Sequence, residues 1–254
     1  MFSWPQRRQY LYGGSALLFL LLIFGAPFLV RQIRAPSCTD GRQNGAETGR
    51  DCGGQCALLC RGEASEPRIL WQRVFNEGGG VASALLYGEN SNKEAGVFSA
   101  PYYVKLYDSR GVLVAEKEIS GTIPPGGTFA VFAPNLFIGE RVPVRAIFET
   151  TAPFSWRRDV PASGVLRVQH IQLSLAPVPR VDAELVNTTH ETFGVRVVAI
   201  LYDESGNAVG ASQTALALAG SKSAPLAFVW RVPFARPPVR VDIIPSVTER
   251  REMP

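Results

Sequence analysis

One block of the chain is apolar without a charge, and the rest alternates. Residues 10–30 carry no charged side chain, with Arg7 and Arg8 before them and Arg31 and Arg34 after. A hydrocarbon core about 30 Å thick takes roughly 20 helical residues, so this block predicts a single transmembrane α-helix. A cleaved signal peptide is the competing reading, but its apolar stretch runs only about 7 to 15 residues and ends at small side chains. Here the block passes into Phe28, Leu29, Val30 and Arg31. A buried core helix is disfavoured because such helices seldom run this long without a charge. Pro27 sits near the end, where few backbone hydrogen bonds remain to be broken.

Beyond the anchor the period is two. Val195, Val197, Ala199 and Leu201 fall on one face of an extended segment, and Arg196, Val198, Ile200 and Tyr202 on the other. Strand and turn recur. Leu106-Tyr107-Asp108 is followed by Gly111, and 95 residues later Leu201-Tyr202-Asp203 is followed by Gly206. Pro143-Val144-Arg145 and Pro238-Val239-Arg240 keep that offset, while Asn90 and Asn187 match with a shift of two. A period near 95 residues is a tandem domain, too long for a solenoid repeat. Each Asp serves its own turn by accepting downstream amides, and each Gly allows positive φ. Strands of this length with frequent turns predict an all-β fold: two tandem immunoglobulin-like antiparallel β-sandwiches, at 66–151 and 164–247. The linker 152–163 contains Phe154 and Trp156, expected to pack between them, and 248–254 is expected to be a tail.

Between anchor and sandwiches, residues 31–65 form a Cys-rich stalk. Its segment 38–60 is nearly devoid of large apolar side chains and needs covalent closure. Cys38, Cys52, Cys56 and Cys60 predict two disulfides, with three pairings open. Zinc is the alternative, but spacings of 13, 3 and 3 residues fit paired knuckles poorly. Two arginines flank each end of the anchor, so charge leaves orientation nearly tied. Clustered cysteines suit an oxidising compartment, which puts the amino-terminal residues 1–9 in the cytoplasm and the body outside, extracellular or periplasmic. Asp40, Asn44, Glu47 and Asp51 add four oxygen donors among glycines, a set that suits calcium or, more simply, turn chemistry.

The segment from Cys38 to Cys60, with its run C-x-D-G-x-x-N-G-x-E-T-x-x-D-C-G-G-x-C, resembles a short Cys-rich element of bacterial surface proteins. That resemblance implies a surface-exposed spacer and no reaction. Leu106-Tyr107-Asp108 and Leu201-Tyr202-Asp203 resemble the FxLYD domain, with Val104 and Ala199 where the family carries Phe. That resemblance implies small β-sandwiches in a bacterial envelope protein of unassigned function.

Little in the chain suggests catalysis. There are two histidines: His170 lies in a strand pattern and His190 in a polar turn, and no nucleophile elbow, zinc-protease helix motif or phosphate loop is present. A net charge of +4 is spread without a basic stripe, so no nucleic-acid partner is expected; Arg157-Arg158 and Arg250-Arg251 read as solvated surface. The sequence therefore predicts a membrane-anchored, non-enzymatic envelope protein without a required cofactor, presenting its sandwiches to a protein or glycan or serving as a scaffold. Tyr102 and Tyr103 are its candidate contact groups. The alternative is a calcium-dependent or redox-responsive module built on the Cys-rich segment.

Overall fold

In the computed structural model, residues 4–25 and 36–251 are described. A helix α1 spans Trp4–Leu20 and continues as a wider π-type turn over Leu21–Gly25. Within it, Arg8–Gly25 is long and apolar enough to cross a membrane, and none of it is buried against the rest of the protein. The remainder of the expected span, residues 26–30, lies outside the described residues, as do Arg31 and Arg34.

Six strands build the first sandwich: β1 (Arg68–Gly78), β2 (Val81–Asn90), β3 (Val97–Tyr107), β4 (Leu113–Ile123), β5 (Gly127–Phe137) and β6 (Arg145–Thr150). They pair antiparallel in two sheets, ordered β1-β2-β5 and β4-β3-β6. Six more follow: β7 (Leu166–Ser174), β8 (Arg180–Asn187), β9 (Thr192–Tyr202), β10 (Ala208–Leu218), β11 (Ser223–Val229) and β12 (Arg240–Arg251). Their orders, β11-β8-β7 and β10-β9-β12, repeat the same scheme of pairing. The last strand runs beyond Val247, into the expected tail.

Alternation explains each core. Tyr102, Val104 and Leu106 of β3 meet Ala84 and Leu86 of β2 and Phe129 and Val131 of β5 inside the first sandwich. Val195, Val197, Ala199 and Leu201 of β9 do the same in the second, against Val181, Leu185 and Phe228.

A third apolar cluster joins the two sandwiches. Leu85, Phe75 and Phe132, on the outer face of sheet β1-β2-β5, pack against Val198, Ile200, Tyr202, Ala208 and Ala211 on the outer face of sheet β10-β9-β12. Both central strands are therefore covered on two sides: residues 82–86 of β2 and 197–202 of β9 are buried without a break. Polar contacts across the joint include Arg73 Nη1–H to the Ala208 carbonyl at 2.7 Å and Arg196 Nη1–H to the Ser120 carbonyl at 2.8 Å. A fully buried Leu, Ile, Val or Phe contributes about 1.5–3 kcal/mol, whereas one hydrogen bond nets about 1 kcal/mol. The apolar seam decides the orientation.

Phe154 and Trp156 do not lie between the sandwiches. Both pack into the first core, with Phe154 against Tyr102 and Trp156 edge-on to Phe154. The linker runs back under the first sandwich because its aromatic side chains fill that end, which leaves the two flat sheet faces to make the contact.

Candidate functional site

The predicted disulfides are present as Cys38–Cys56 and Cys52–Cys60, and among the described residues no cysteine is free. Around them the chain turns tightly. Gly54 has φ +55°, and a Cβ there would lie 1.6 Å from the Ala46 carbonyl oxygen, so no other residue fits.

This module is docked on the body. The Leu59 amide donates to the Trp156 carbonyl, the Arg158 amide to that of Ala57, and Leu58 and Gly96 both bridge Arg157. Arg158 Nη1–H also reaches the carbonyls of Gly54 and Cys56, both at 2.9 Å. Arg157 pairs with Asp159 through two bonds of 2.7 Å. The arginine pair expected as solvated surface is thus the clasp that holds the cysteine module, a role visible only once residues 54–58 and 157–158 are neighbours. Ser65 and Asn92 add two bonds on the same side, Asn92 Nδ2–H to the Ser65 carbonyl and the Ser65 amide to Asn92 Oδ1.

The four oxygen donors are occupied largely by their own loop. Asp40 Oδ1 accepts from the Arg42 amide and Oδ2 from Asn44 Nδ2; Asp51 Oδ1 accepts from the Gly41 amide. Glu47 Oε2 accepts from the amides of Asn44 and Asp51. Asn44 Oδ1 is enclosed with no donor on it. Among the described residues, the one group of three metal-ligand atoms within 4.8 Å is Cys38, Glu47 and Cys56. Two of its members are sulfurs of a single disulfide, which have no thiolate charge to offer a cation. Glu63 closes the loop by accepting from Thr48 Oγ1 and the Cys60 amide at 2.8 Å each, and these bonds hold its carboxyl below the usual range.

The recurring aspartates act as turn residues. Asp108 Oδ1 accepts from the amides of Arg110 and Val112, and Asp203 Oδ1 from that of Asn207; those backbone amides depress both carboxyls. Tyr102 is buried, which pushes its phenol up, and belongs to the core rather than to a contact surface; Tyr103 faces outward on β3 beside Lys105. His170 Nδ1 lies 3.0 Å from Glu184 Oε2 on an exposed face. His190 Nδ1 lies 3.1 Å from Ser221 Oγ, a pair unremarked in the sequence because 31 residues separate its members. Ser221 also bonds the Thr189 carbonyl, so the pair closes the β10–β11 turn onto the β8–β9 turn.

A cleft of about 410 Å³ lies at the edge of the joint, between Phe75, Asn76, Glu77 and Phe132 of the first sandwich and β10 with the β11–β12 turn of the second. Trp230 Nε1–H donates to the Ala211 carbonyl at 3.2 Å and Phe234 stands edge-on to the Trp230 ring. Gly210 makes room for them: a Cβ there would lie 2.6 Å from Phe234 and 3.1 Å from Trp230 Nε1. The aromatic pair is packing at a joint, with Glu77 and Ser212 also among the residues that line the cleft.

No protein-family model matches the chain, and no curated protein matches it. Among solved structures, a Bacteroides uniformis β-glucuronidase aligns at 11% identity and a TM-score of 0.19, over 72% of this chain and 28% of that one. A calcium-binding mutant of Bacteroides uniformis β-glucuronidase 2 aligns at 10% identity and a TM-score of 0.20, over 68% of this chain and 28% of that one. The chain spans less than a third of either enzyme, and overlap at these scores carries no argument about fold or activity.

Proposed function

We propose that this chain is a single-pass, non-enzymatic envelope protein that fixes a double β-sandwich at a membrane surface, its amino terminus cytoplasmic and its body on the oxidising side. The observation that carries this reading is the exposed apolar helix: Leu17, Leu18, Phe19 and Leu20 are open to solvent in the isolated molecule, and burial in a bilayer removes that cost. The clasped cysteine module then acts as a collar, so the body leaves the membrane as one rigid piece. Function in this reading is positional, the sandwiches serving as scaffold or contact surface. Alkaline extraction of membranes tests it, combined with accessibility of the sandwiches to protease from the outer side. Release into the supernatant, or protection of the body, overturns it.

The enclosed Asn44 Oδ1 favours one second reading, calcium held by the cysteine module with Asp40 nearby. Calcium raising Tm, reversed by chelator, supports that reading; indifference to both removes it.

A further inference from the structure

At the cleft beside the joint three strands lose their regularity. In β1 Asn76 pairs with Ala82 and Gly78 with Val81, which leaves Glu77 as an extra residue. In β5 Leu136 pairs with Ala82 and Ala133 with Ala84, so Pro134 and Asn135 together stand opposite Ser83. In β10 Ala208 pairs with Tyr202 and Gly210 with Leu201, which leaves Val209 extra. Glu77, Pro134, Asn135 and Val209 all line the cleft. Bulges re-aim the side chains they carry and gather beside functional sites. The Val209 bulge belongs to the repeat, since β4 has its counterpart at Val114; the β5 bulge does not, because β11 pairs with β8 without a break. Asn135 holds φ at +56°, in the left-handed region.

The lining of the cleft is divided by chemistry. Its floor is aromatic, with Phe75, Phe132 and Trp230 buried and Phe234 half-buried. Its rim carries Asn76, Glu77, Asn135, Ser212, Gln213 and Arg231, and none of these side chains is hydrogen-bonded or ion-paired to another group among the described residues. Arginines elsewhere on the body do have such partners: Arg157, Arg180, Arg236 and Arg240 each hold an aspartate. Ser83, paired with Phe75 on one side and opposite the β5 bulge on the other, is fully buried, and its Oγ has no partner. Buried polar atoms of this kind are few in a native protein, and each asks for a polar group to meet it.

This lining narrows the ligand by exclusion. A wholly apolar molecule would strip water from the rim and return no hydrogen bonds. One carboxylate and one guanidinium on the rim cancel, so no net charge is offered to an ion. A peptide adding to a sheet edge needs a regular ladder, and the bulges and Pro134 interrupt it. A neutral saccharide meets every condition. Each hydroxyl donates and accepts, as do the amides of Asn76, Asn135 and Gln213, and the C–H face of a sugar ring lies on an aromatic side chain. At about 410 Å³ the cleft falls in the range of small-molecule sites. We infer that the joint binds a neutral saccharide, with Asn135 of the first sandwich and Gln213 of the second on its hydroxyls and Phe234 against its ring. Such a ligand adds recognition to the positional role proposed above, and its binding does not depend on the helix being anchored.

The test uses the full chain in a detergent without a sugar headgroup, probed on an array of neutral hexose and N-acetylhexosamine oligomers, with affinities then measured by isothermal titration. At least one neutral oligomer should bind saturably and with little dependence on salt. Asn135→Gly keeps the left-handed backbone and removes only the amide; it should weaken binding about five- to tenfold, and Gln213→Ala should do the same. Phe234→Leu keeps an apolar side chain without the ring and should weaken binding at least about fivefold. Unchanged Tm and intact disulfides establish that the two rim variants fold. An array on which no neutral sugar binds overturns the inference, as does binding that both rim variants leave intact. Acidic sugars held in preference to neutral ones, or an extended peptide bound where no sugar is, overturns the assignment of the ligand. Membrane extraction reads the anchor separately, so either reading can fail without the other.

Discussion

Asn90 and Asn187 hold the same place in the two sandwiches, the last residue of the second strand, and each is 1% exposed. Asn90 Nδ2 donates to the carbonyls of Ala95 and Pro124, and Asn187 Nδ2 to those of Glu191, Leu218 and Ala219. Each Oδ1 accepts from the amide two residues on, that of Asn92 or Thr189. One amide thus ties together the two loops that cross between the sheets. Asn90→Ala and Asn187→Ala should each cost about 1–3 kcal/mol, because buried carbonyls lose their donor, and urea titration of each variant beside the wild type at one temperature measures it. Asn90→Asp should be worse than Asn90→Ala, since a carboxylate supplies no donor and adds a buried charge.

The joint between sandwiches makes a second expectation. Lys105 and Ile200 stand at matching positions of β3 and β9, and only Ile200 is covered. Ile200→Lys should put an unpaired charge into the seam and cost at least about 3 kcal/mol. The expected signature is a larger radius of gyration by X-ray scattering and separate unfolding of the two halves.

The converse substitution should glue molecules together. Sandwich one is covered on sheet β1-β2-β5 and sandwich two on sheet β10-β9-β12, so the contact is heterologous and leaves one complementary pair of faces open. Those open faces carry Lys105 with Glu149 on one and Asp182 with Arg180 on the other. Lys105→Ile together with Asp182→Leu should make a concentration-dependent oligomer in sedimentation that the wild type should not form.

A fourth expectation concerns pH. Bonds from Ser223, Gln169 and His170 hold the Glu184 carboxyl down at about 2, against an ordinary value of 4.5. A folded pKa below the unfolded one means that this stabilisation is complete above about pH 4.5 and is lost as pH falls toward 2. Tm should therefore fall across that window, and Glu184→Gln should fall less steeply there. Asp108 and Asp203, depressed by backbone amides, act in the same direction, so the variant should reduce the slope without abolishing it.

Much of the architecture was legible because β9 declares itself. Phe193 to Tyr202 has apolar residues on both faces of an alternating strand, and both faces are used, one in the sandwich core and one in the joint. The asparagine pair and the Tyr-Asp turns were legible as repeats, since local hydrogen bonding needs the same side chain at the same place. Other features depend on contacts distant in sequence. Nothing about Cys38 chooses Cys56 over Cys52 until the loop is folded, and Arg158 reads as a surface charge until Gly54 and Cys56 turn their carbonyls to it. Trp156 went to the first core because a linker's aromatic residue serves whichever cavity its own backbone crosses, and that path is not written in periodicity.

The cysteine module also fixes how far the body can stray. Pulled from the side of the helix, the chain between Cys38 and Cys56 cannot pay out, because the Cα atoms of these residues are bound 5.7 Å apart although 18 positions separate them. Reduced and drawn straight, the same segment would reach roughly 60 Å. The bond therefore works as a latch on tether length: with it closed, tension from the helix passes straight to the collar and the first sandwich, and with it open, the same protein becomes a much longer leash.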